Sequence, residues 1–106
     1  MIVSTTNNVP NREAAEIIGI VGGEAVLGAN LFRDFFANIR DIVGGRAGSY
    51  QKVLKDARQF ALDDMISEAH ELGADAVIGV DLDYEVIGEK GSILMVSANG
   101  TAIKLR

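Results

Sequence analysis

Cysteine and tryptophan are absent from the 106-residue chain, and proline and histidine occur once each, as Pro10 and His70. Without cysteine there is no disulfide, no thiolate metal ligand and no cysteine nucleophile. Basic charge is also scarce. Lys and Arg total 10 against 15 Asp and Glu, for a net charge of −5. The basic residues are scattered, and the stretch from Arg40 to Arg58 is diluted by Asp41 and Asp56. That is not the electrostatic footprint of a nucleic-acid binder. No apolar run reaches the roughly 18–20 residues of a membrane span, so no membrane partner is expected. The start, Met1 to Thr6, has neither a basic n-region nor a long apolar h-region, which argues against a signal peptide. A cytoplasmic location fits these absences.

What is present is a core-forming chain. Hydrophobic residues make up 48% of it, and its length suits one domain spanning 1–106. Met1 to Thr6 reads as a short strand and Asn7 to Asn11 as a turn. Ala14 to Gly28 is rich in β-branched residues, with Gly19, Gly22 and Gly23 marking a bulge or close backbone approach. Leu31 to Val43 has helical spacing, with Leu31, Phe35, Phe36, Ile39 and Ile42 among its apolar residues. After the Gly44-Gly45-Arg46-Ala47-Gly48 turn, Ser49 can cap a second helix that runs to Leu72. Its apolar set includes Tyr50, Val53, Leu54, Ala57, Phe60, Ala61, Met65, Ala69 and Leu72, and Gly73 terminates it. Ala76 to Ile87 alternates, with Ala76, Ile78, Val80, Leu82, Tyr84 and Val86 on one side and Gly79, Asp81, Asp83 and Glu85 on the other. A hairpin at Gly88 to Gly91 leads to a last strand, Ile93 to Leu105.

Geometry then limits the architecture. A helix of this length is roughly 36 Å long, and strands of 11–13 residues reach roughly 35–40 Å. Each crosses the whole of a compact subunit, whose radius of gyration would be near 13 Å. The expected fold is α+β, of order β-α-α-β-β, with one long helix laid across a small antiparallel sheet. Such a sheet keeps two edges and one uncovered, partly apolar face. Both invite self-association, and a closed ring removes the edges.

Three separated stretches carry a resemblance: IRDIVGGRAGSY at 39–50, LGADAVIGVDLDYE at 72–85 and ILMVSANGTAIKL at 93–105. Together they resemble the YbjQ-like family of bacterial and archaeal proteins, whose label is heavy-metal binding and whose activity is uncharacterised. The resemblance covers essentially the whole chain. It implies a subunit similar to that of dodecin and a homopentameric ring. Gly44, Gly45, Arg46 and Tyr50 match the family's most distinctive motif.

Residue chemistry offers several readings. Soft metals want Cys and His, and this chain has only His70, beside a Glu71 that points elsewhere on a helix. A hard divalent cation is the one cofactor left open. Asp81, Asp83 and Glu85 share a strand face and could hold Ca²⁺ or Mg²⁺, although same-face neighbours stand about 7 Å apart. The alternative is a solvated face, or an interface paired with Arg33, Arg40 or Lys104. Gly44, Gly45, Arg46, Ser49 and Tyr50 form a candidate site for a small anionic ligand, with backbone N–H groups at a helix start and a guanidinium fork. The alternative is a helix-to-helix connection in which Arg46 pairs with a carboxylate such as Asp41, Asp81 or Asp83. No Walker A, GxGxxG or GxSxG pattern occurs, and no catalytic residues are assigned. The expectation is a homo-oligomeric small-ligand-binding or scaffold module. A metal-binding protein and an enzyme of unknown reaction are the alternatives.

Overall fold

A computed structural model describes residues 1–28, 48–88 and 93–106. The expected helix at 31–43, the turn at 44–47 and the tip of the last hairpin at 89–92 lie outside the described residues. The elements are β1 (Ile2–Val3), β2 (Ala14–Leu27), α1 (Gly48–Glu71), β3 (Ala76–Ile87) and β4 (Ile93–Leu105). The strands form one sheet of order β1-β3-β4-β2. The three long strands are antiparallel, as expected. The two-residue β1 pairs parallel with β3, so the sheet is mixed. This is an α+β fold with one long helix on a four-stranded sheet.

α1 packs through alanine and one methionine. Ala57, Ala61, Met65 and Ala69 recur every fourth residue, are all buried, and meet Val21, Ala25, Val77, Val80, Val96, Ala98 and Ala102 of the sheet. Side chains this small bring the helix backbone close to the strands. The closest approach is at Gly23, where an added Cβ would collide with the Ala61 carbonyl oxygen and the Met65 amide nitrogen. The helix therefore sits over β2, and Asp64 anchors it by accepting a hydrogen bond from the Glu24 amide at 3.2 Å. One consequence departs from the sequence reading. Phe60 and Leu72, expected in the core, are 62% and 48% exposed. The tight alanine seam leaves no room for Phe60 beneath the helix.

α1 starts at Gly48, which places Ser49 inside its first turn rather than before it. It ends as expected at Gly73 (φ +76°). The Gly73 amide donates to the His70 carbonyl and the Ala74 amide to the Ala69 carbonyl, both at 3.0 Å. This is a Schellman closure.

A second departure lies in β3. Its register on β4 shifts between Ile78 and Asp81, where Gly79 adopts φ +59°. The amides of Gly79 and Val80 turn outward to Thr6 and Ser4 carbonyls at 2.8 and 3.0 Å. The extra residue reverses the alternation. Val77 and Val80 both enter the core under the helix, whereas Ala76 and Ile78 pack with Val9 and Ile103 in a small cluster on the opposite face. The single unbroken alternation expected from Ala76 to Val86 is therefore two short ones of opposite phase.

Candidate functional site

The bulge at Gly79 decides what the sheet face away from α1 presents. Beyond it, Asp81, Asp83 and Glu85 stand opposite Asn99, Ser97 and Met95 of β4. Across β4, Gly22, Glu24 and Val26 of β2 occupy the same levels. The face away from α1 thus has an acidic middle, Asp81, Asp83 and Glu24, all exposed. Apolar ends flank it, with Ile17 (73% exposed) and Ile20 (82%) toward one side and Val26 (59%) toward the other.

Asp81 and Asp83 interact directly. A hydrogen bond with Asp81 favours the protonated form of Asp83, and the Asp81 charge opposes its ionisation. Desolvation and the Glu85 charge act in the same direction, and the Asp83 pKa is raised from its ordinary 3.8. Among the described residues the ion pairs are Lys52–Asp56 at 3.1 Å and Arg106–Glu13 at 3.8 Å, so the acidic row has no described basic partner within its own chain. Nor do three or more described Asp, Glu or His side chains gather where they could hold an ion. Asp81, Asp83 and Glu85 stand in line rather than around a point.

The expected anion site divides. Gly44, Gly45 and Arg46 lie outside the described residues. Ser49 and Tyr50 belong to the first turn of α1, and their side chains lie outside the description as well. His70 is exposed on the last turn of α1.

Two grooves along the flanks of α1 escaped sequence reasoning. One, of about 420 Å³, runs between the helix and β2 and is lined by Ala25, Val26, Leu27, Val53, Asp56, Ala57 and Phe60. The other, of about 240 Å³, runs between the helix and β3 and is lined by Gln51, Leu54, Lys55, Arg58 and Tyr84. The signal available was the run of small residues at fourth positions, which sets the centre of the buried stripe and moves Phe60 to its margin.

Among the described residues, these features define a thin two-layer α+β fold with one sheet face uncovered. A crystal structure of a protein of unknown function from Pediococcus pentosaceus, of the DUF74 family, shares the fold. The match has a TM-score of 0.68 and 18% identity, and covers 100% of this chain and 98% of that one. The model of the YbjQ family, described as "putative heavy-metal-binding", matches residues 1–106. The chain belongs to that family.

Proposed function

We propose that this chain is the subunit of a homo-oligomeric ring, a pentamer, that serves as a small-ligand-binding or scaffold module. The observation that carries the reading is surface left over. The chain exposes 7017 Å², whereas a folded monomer of 11.3 kDa typically exposes about 5,700 Å². The excess belongs to a slab measuring 52 × 29 × 18 Å. Among the described residues, its sheet is open on one face and unpaired along β2, apart from the Glu24 amide that Asp64 holds, and along β3 beyond Val80. Unpaired edges and exposed Ile17, Ile20, Val26 and Val86 are what association covers. Light scattering on the purified protein tests it. A mass of five times 11.3 kDa is expected at micromolar concentration, and a stable monomer overturns the reading.

A second reading, a divalent cation at Asp81, Asp83 and Glu85, is favoured by the three carboxylates at alternate positions of one strand and by the family description. Three carboxylates in line need further ligands to close a cation's shell, and a neighbouring copy could supply them. Elemental analysis of dialysed protein checks it, with one metal ion per subunit expected on this reading and none otherwise.

A further inference from the structure

We infer that the two flanks of α1 are complementary mating surfaces, so that one copy of this chain docks head to tail on the next: the acidic, apolar flank over β2 against the basic flank over β3. The inference rests on the assembly reading above and specifies which surfaces meet.

The helix sorts its charges by side. Toward β2 it presents Asp56, on the wall of an apolar groove with Phe60, and Asp64, which reaches the Glu24 amide. Toward β3 it presents Lys55 and Arg58, beside Tyr84. No described Lys or Arg lines the first groove and no described Asp or Glu lines the second. Asp56 also meets Lys52, but both side chains remain largely exposed, at 68% and 77%, and such a pair holds its partners weakly. Each flank also carries an exposed aromatic, Phe60 at 62% and Tyr84 at 47%.

A two-fold dimer through either flank sets like charges face to face, Asp56 against Asp56 or Lys55 and Arg58 against their copies. A rotation that places the β2 flank of one copy on the β3 flank of the next sets Asp56 and Asp64 against Lys55 and Arg58. Like-charge juxtaposition is costly, and complementary rims fix orientation. The strand directions agree with this arrangement. β2 and β3 both run antiparallel to β4 and are therefore parallel to each other. Copies related by rotation lay the edge of β3 beyond Val80 along the edge of β2, where the Glu24 amide alone is already held, by Asp64, and the sheet continues.

Charge reversal tests the pairing. One variant carries Lys55→Glu and Arg58→Glu, the other Asp56→Lys, with circular dichroism confirming the fold of each. At low salt, each alone is expected to need roughly tenfold or more protein than wild type to associate, and the two mixed are expected to associate with each other. An odd ring cannot close with strictly alternating copies, so the readout is a mixed species holding both chains in native mass spectrometry. Variants that assemble like wild type, or that stay apart when mixed, overturn the flank assignment while a wild-type oligomer leaves the assembly reading standing. A monomeric wild type overturns both. Should a reversed variant unfold, Lys55→Gln with Arg58→Gln carries the test: weakened assembly supports the pairing and unchanged assembly overturns it.

Discussion

Single residues show two different reasons for glycine. Gly23 has ordinary backbone angles but no space, because a Cβ would strike the backbone of α1 at Ala61 and Met65. Backbone cannot rotate away as a side chain can, so Gly23→Ala must lift the helix. Overpacking costs about 1–3 kcal/mol, and the upper end is expected here. Urea unfolding of the variant measures it, and a loss below about 1 kcal/mol would mean that the helix shifts freely. Asp83 is a different case, since its penalty is electrostatic. Its pKa is raised through Asp81, so the folded state favours the proton, and the stability this gives at low pH is lost as pH rises through the raised value. Asp83→Asn should therefore melt slightly above wild type at pH 7, by an amount on the order of a degree. The gain should vanish below the ordinary carboxylate range near 3.8 and shrink in high salt. Thermal melts at pH 7 and pH 3 decide it, and a variant less stable at pH 7 would show that Asp83 makes a favourable contact when ionised.

Among the elements, β3 teaches most about what the sequence reveals. Its extent, Ala76–Ile87, was legible in full, because β-branched and alternating residues mark a strand whatever its partner. Its phase was not, because a bulge is set by register on β4 and by the turn of chain from Ser4 to Thr6, which sequence alternation does not encode. Gly79 was the clue. It has open space around its missing Cβ and needs glycine only for its φ of +59°. Gly79→Ala should thus cost about 1–2 kcal/mol from backbone strain alone, and Gly79→Asn less, since asparagine tolerates this region. Equal costs for the two in urea unfolding would point to a steric cause instead. The helix shows the same division. Its ends at Gly48 and Glu71 fall within two residues of the expected ones, and the Gly73 stop was readable from type alone. The burial of Phe60 was misjudged because helical spacing defines an apolar arc and says nothing of how near the sheet will come. The acidic row was found as a row, since period two puts Asp81, Asp83 and Glu85 on one face. Its lack of a basic partner among the described residues of its own chain depends on tertiary placement.

At the scale of the whole molecule, the radius of gyration is 16.8 Å against about 13 Å for a compact chain of this length. On the face away from α1, Ile17 and Ile20 of β2 stand at 73% and 82% exposure. In an isolated chain these side chains lose little on truncation. Ile17→Ser with Ile20→Ser should change the stability of dissociated protein by less than about 0.5 kcal/mol per site. In an assembly that covers them, each buried methylene contributes about 0.8 kcal/mol, and binding between copies raises the melting temperature with concentration. The two states can therefore be separated in one experiment. Melts at nanomolar to micromolar concentration should coincide for wild type and double variant at the dilute end. At the concentrated end wild type should rise while the variant stays low. Parallel curves would show that Ile17 and Ile20 stay wet in the oligomer and that the flanks and strand edges alone hold the copies together. Curves flat with concentration for both proteins would show that the exposed face of this slab is not covered by its own kind.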